Sequence, residues 1–179
     1  MRKSQKIAVS GLLTALAAGL LLLSGLVPTG MYSFPAAAGV VIWLLSFFAG
    51  TSYAVYSFAA VSVLSFILCT DKEAPLCFVL FLGYYPLIRK GLEQLRLRVL
   101  AYFLKLLLFN AAAVGIYCLL IFVFAVPREF FRLFGVSVPL LFLALLNVVF
   151  VIYDLALRVF EKRYRQTINK LVTNFFRKF

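Results

Sequence analysis

Residues 7 to 27 read IAVSGLLTALAAGLLLLSGLV, 21 consecutive residues without a formal charge, closed by Pro28 and the turn-like Thr29-Gly30. An α-helix of that length covers the roughly 30 Å hydrocarbon layer of a bilayer, where each backbone amide must find its partner within its own segment. Five more apolar segments follow. The chain is 65% hydrophobic and 13% charged over 179 residues, a balance that leaves too little polar surface for a soluble domain. The sequence therefore predicts an all-α, polytopic membrane protein.

The first span is Ile7 to Val27. The second runs from Phe34 to Ala49 and the third from Ser52 to Cys69, separated only by Gly50-Thr51, which sets a tight antiparallel hairpin. Pro75 to Ile88 is a shorter fourth segment, interrupted by Gly83 and Pro86, and proline there removes a helical hydrogen bond and favours a kink. Val99 to Ala125 and Val138 to Leu157 complete a six-helix bundle. The expected organisation is a transmembrane domain over 1–160 and a basic cytoplasmic tail over 161–179.

Lys and Arg positions orient this bundle. With the N-terminus inside, Arg2, Lys3 and Lys6, then Arg89, Lys90, Arg96, Arg98 and Lys105, then Arg158, Lys162, Arg163, Arg165, Lys170, Arg177 and Lys178 all fall on the cytoplasmic side. Lys72, Arg128 and Arg132 remain outside, so 15 of 18 basic residues share one face, as the positive-inside rule asks of a chain in the cell membrane with both termini inside. The net charge of +12 is accounted for by anionic lipid at that face, without nucleic acid. In the tail, Ile168, Leu171, Val172, Phe175, Phe176 and Phe179 recur on one helical face, giving an amphipathic basic helix expected to lie along the inner leaflet. Docking to a cytoplasmic partner is the competing use of the same face. The first span exceeds the length of a signal-peptide core and is followed by no small-x-small cleavage site, so it reads as a helix of the mature protein.

Catalysis has little to draw on. There is no His, and the six acids, Asp71, Glu73, Glu93, Glu129, Asp154 and Glu161, all lie near span boundaries. No metal-ligand cluster, phosphate-binding loop or nucleophile elbow occurs, so the reading is a protein without enzymatic activity, metal or cofactor. Cys69 and Cys77 flank the loop TDKEAP and leave a disulfide open, while Cys118 stands apart.

The polar residues within spans carry more information. Asn110 and Asn147 sit near the middles of the fifth and sixth helices, where an unpaired amide is costly. They either bond helix to helix or point into a solute pocket. Asp154 has Arg158 one turn on. On the outer side, Tyr32 and Phe34 of GMYSF read either as interfacial aromatics or as a lid over a pocket, an alternative shared by Tyr117 in the outer half of the fifth helix; Asp71 and Lys72, with Glu73, read either as a solvated turn or as a charge cluster placed to meet a polar solute. In the first helix Gly11, Ala15 and Gly19 lie four apart on one face, with Ser10, Thr14 and Ala18 as an adjacent strip. Small-xxx-small faces let membrane helices approach closely, within the chain or against a partner.

The small-residue stretch SGLLTALAAG, the loop LVPTGMYSF and the six-span layout over nearly the whole chain resemble the S components of energy-coupling factor (ECF) transporters. The resemblance implies a substrate-binding membrane subunit that captures a vitamin-like small-molecule solute from outside. It implies that the first helix docks on a transmembrane coupling subunit driven by two ATPase subunits, through Gly11, Ala15 and Gly19 beside Ser10, Thr14 and Ala18. Tyr32 and Phe34 would belong to the lid over the solute. A structural or scaffolding membrane protein that binds no solute is the alternative. A secondary transporter fits less well, since no internal repeat and no intramembrane acid for ion coupling are evident.

Overall fold

The computed structural model describes the backbone of residues 2–27, 30–95, 97–122 and 139–177, and within these the side chains other than those of 90, 98, 139–142 and 163–177. Arg128 and Arg132, and the side chains of the tail's apolar face, lie outside the described residues. The chain is all-α. Contacts divide it into two units, Met1–Gln94 with Thr167–Phe179, and Leu95–Gln166.

In the first unit, α1 (Lys3–Ser24) opens where the Arg2 amide donates to Gln5 Oε1 at 3.0 Å, and it closes at Gly25, whose amide reaches the Leu22 carbonyl at 3.3 Å. α2 (Ser33–Phe48) and α3 (Thr51–Leu68) both pack on α1 and on each other. The α2/α3 turn is only Ala49-Gly50, and Gly50 has a φ of 106°, a conformation a side chain would strain. That glycine fixes the hairpin at the place the sequence suggests.

Small and hydroxyl residues are buried in the helix contacts beside large apolar ones such as Leu21, Ile42, Leu45 and Phe78, while many other large apolar side chains face outward. α1 buries Ser10, Ala17, Leu21 and Ser24, and α3 buries Ala54, Ser57, Val61 and Ser65. Leu12, Leu16, Tyr56 and Ile67 face outward. Small residues bring the helices close, and the buried hydroxyls are satisfied locally: Ser24 donates to the Leu21 carbonyl at 2.6 Å and Ser65 to that of Ser62 at 2.9 Å.

The segment expected to be a kinked fourth span is built in three parts. α4 (Glu73–Cys77) leads into a π-helical turn over Phe78–Leu82, in which the Gly83 amide reaches back five residues to the Phe78 carbonyl at 2.7 Å. α5 (Tyr85–Glu93) then starts with Pro86 in its first turn, where the missing amide would have had no helical partner. The sequence signal of Gly83 and Pro86 is thus a new helix start. α2 lies directly against the π turn: a Cβ at Gly39 would collide with the Leu82 carbonyl.

The second unit contains α6 (Arg98–Phe122) and the first part of α7 (Pro139–Arg177). The helix of α7 runs without a break through the boundary expected near residue 160 and on to Arg177. Among the described residues, four helical stretches suffice by length and composition to cross a membrane: Lys3–Ser24, Thr51–Leu68, Val99–Phe122 and Leu143–Lys162. These support a multi-pass membrane location. The other two expected spans correspond to α2, whose 16 residues rise about 24 Å, and to the composite α4–α5 segment.

Candidate functional site

Polar side chains within the apolar part of the second unit meet along one seam between α6 and α7. Asn110 Nδ2 donates to Asn147 Oδ1 at 2.9 Å, and Asn147 Nδ2 returns the bond to Asn110 Oδ1 at 2.9 Å. Each amide directs its second proton to its own helix, Asn110 to the Leu106 carbonyl and Asn147 to that of Leu143, both at 2.8 Å. All four N–H donors are therefore matched, which removes the penalty an amide carries in an apolar medium.

Toward the N-terminal end of α6, the Phe109 and Phe150 rings stack with centroids 4.7 Å apart, an apolar layer beside the amide pair. Beyond it, Lys105 Nζ lies 3.0 and 3.1 Å from the two carboxylate oxygens of Asp154. The side chains are only 2% and 6% exposed, so the pair is withdrawn from solvent and each charge depends on the other. Arg158 Nη2 stands 3.7 Å from Asp154 Oδ2, with its own side chain 41% exposed. Both cations stand near the Tyr102 ring, whose centroid is 5.6 Å from Lys105 Nζ and 5.3 Å from the Arg158 guanidinium carbon.

Sequence reasoning placed Asp154 beside Arg158 and counted Lys105 among the cytoplasmic charges, so it missed the buried Lys105–Asp154 pair. The signal was present. Five residues back along α6 from Asn110 and seven forward along α7 from Asn147 arrive at opposite charges on facing antiparallel helices, and an ionisable residue within an apolar run calls for a named partner. Tyr117 sits on α6 two turns beyond Asn110 and is partly exposed.

The outer-loop candidates form a separate group in the first unit. Tyr32 is 60% exposed at the start of α2, and Phe34 is half-buried with its ring over Gly30. The Glu73 and Asp71 carboxylates lie within electrostatic reach of the Tyr32 phenol. Asp71 Oδ1 accepts the Glu73 amide at 3.1 Å, and partial burial followed by the Asp71 charge pushes the Glu73 carboxyl above its ordinary range. Lys72 Nζ donates to the Phe66 and Cys69 carbonyls at 2.8 and 2.7 Å, completing the C-terminus of α3. Cys69, Cys77 and Cys118 are free thiols. Among the described residues no group of three or more His, Cys, Asp or Glu is arranged to hold a metal.

The small residues of α1 separate into two sets. Ser10 is buried, and the Thr14 and Ser57 hydroxyls share a hydrogen bond of 2.7 Å that ties α1 to α3. Ala18 is partly buried against the core. Gly11 and Ala15 are exposed, and a Cβ at Gly11 or Gly19 would meet nothing within 4 Å. Ala15 and Gly19 floor an open apolar groove of about 420 Å³ walled by Leu16, Leu20, Leu22, Leu23 and Leu26. No protein-family model, curated protein or solved structure matches this chain.

Proposed function

We propose that the chain is a substrate-binding subunit in the cell membrane, with both termini inside, that takes up a small, vitamin-like solute and passes it to an ATP-driven coupling module. The observation that carries this reading is the division of α1. Its Ser10–Thr14 strip is engaged within the chain, whereas among the described residues nothing comes within 4 Å of a Cβ added at Gly11 or Gly19, and Ala15 between them is exposed. Small residues give a close-packed interface its energy in lipid, so an unfilled face of this kind suits a transmembrane coupling subunit, with its two ATPases on the cytoplasmic side. The resemblance of SGLLTALAAG and LVPTGMYSF to ECF S components supports the same assignment. Tyr32, Phe34 and Asp71 would meet the solute from outside, and the role is binding, without catalysis.

A second reading, a scaffold that assembles through α1 but binds no solute, is favoured by one observation: the Asn110 and Asn147 donors are matched to each other and to their own helices. Affinity purification of the tagged chain from its native membrane, followed by mass spectrometry of proteins and small molecules, separates the two. Uptake predicts a membrane subunit, two ATPases and a bound solute, with the protein partners lost in Ala15→Leu. Partners without ATPases or solute would overturn uptake and leave the scaffold.

A further inference from the structure

The composite α4–α5 segment holds one residue more than a regular helix would. Gly83 and Tyr84 both have right-handed helical backbone angles, so the π turn over Phe78–Leu82 runs on into α5. Within it the Gly83 amide bonds to the Phe78 carbonyl at 2.7 Å, five residues back, instead of to that of Val79. Such a turn absorbs a single extra residue and leaves the helix on either side facing as it would without it.

The widened turn is held by its neighbours. Pro86 stands four residues on from Leu82 and has no N–H, so the Leu82 carbonyl lacks its helical donor. Gly39 of α2 brings its α-carbon against that carbonyl, an approach that a Cβ would block. Phe58 of α3 wedges the other side: a Cβ at Gly83 would lie 2.7 Å from its ring. The same ring is 5.5 Å by centroid from Phe78 before the break and 6.1 Å from Tyr84 after it. Without these contacts the ordinary α-helix is the more stable arrangement. Its adoption would move the Gly83 amide to the Val79 carbonyl, turning α5 by about 100° and shifting it by about 1.5 Å relative to α4. We propose that the π turn is a register joint, held open by Gly39 and Phe58, that converts a displacement of α2 into a rotation of α5. α2 begins beside Tyr32, and α5 carries the Arg89–Glu93 pair at 3.0 Å, so the joint connects the outer-loop group to that pair. It stands whether or not the chain takes up a solute.

The test is a spin-label distance measurement on the full chain in detergent. The background carries Cys69→Ala, Cys77→Ala and Cys118→Ala, with labels on Val63→Cys and Ile88→Cys, exposed positions of α3 and α5. The joint predicts one main distance in this background and a second population, displaced by several ångströms, in Gly39→Ala. Deleting Val79 from the Gly39→Ala chain should restore the single distance, because a helix with one residue fewer keeps its faces without a π turn. Phe58→Ala, which removes the wedge, should give the same second population. Unfolding midpoints establish that each variant is folded, and Phe58→Ala carries the test where Gly39→Ala does not fold. A single unchanged distance in either folded variant, or a second population that survives deletion of Val79, overturns the joint.

Discussion

Lys105 shows how one side chain changes meaning between sequence and structure. Counted along the chain it belongs to a basic cluster after Arg98; in the fold it is 2% exposed and bound to Asp154. Removing one partner of such a pair leaves an unmatched buried charge, so Lys105→Met should destabilise the protein by about 3–5 kcal/mol, read as a lower unfolding midpoint in detergent. Lys105→Met combined with Asp154→Leu should restore most of that loss. If the double variant were as unstable as the single one, the charge pairing would not be the source. The amide pair is weaker: Asn110→Leu and Asn147→Leu in a double-mutant cycle should show a coupling of about 0.6–2 kcal/mol. Glu73 sets a pH dependence in the other unit. Its carboxyl has a higher pKa in the fold than the ordinary 4.5, so the folded state binds the proton more tightly. Stability should fall as pH rises from about the unfolded value through the raised folded one, and Glu73→Gln should remove that decline from a stability-versus-pH titration.

At the scale of elements, the sequence disclosed what depends on local chemistry. The α2/α3 turn follows from Gly50, which also sets the start of α3 at Thr51, one residue before the expected Ser52. The end of α1 before Pro28 follows in the same way, as do the positions of α6 and the early part of α7, because long charge-poor runs admit few alternatives. What the sequence concealed depends on neighbours. The π turn at Phe78–Leu82 exists where α2 presses on it, and nothing in FVLFL distinguishes it from ordinary helix. Gly39 is the other half of that contact. Gly39→Ala would place a methyl group on the Leu82 carbonyl and should cost about 1–3 kcal/mol, whereas an alanine at Gly11, which has open space, should cost nothing measurable or add slightly to helix stability. Equal effects of the two substitutions on the unfolding midpoint would show that α2 and the π turn do not touch in this way. The candidate site was legible to the same extent: the need of Asn110 and Asn147 for partners was visible, but their choice of each other required the α6/α7 register.

The whole molecule is an all-α protein with helices apolar enough to cross a membrane, and two of its helix contacts carry polar seams: hydroxyls between α1 and α3, amides and charges between α6 and α7. α1 is the element whose small residues serve both purposes, one strip turned to α3 and the other left open. The proposed uptake role requires this open face to meet another membrane protein. Its most direct test is photo-crosslinking in intact membranes, with a photoreactive phenylalanine analogue at Ala15 and, as a control, at the outward-facing Tyr56, which is 72% exposed. A discrete crosslinked protein is expected from position 15 and only lipid adducts from position 56. Lipid adducts alone from both positions would contradict it.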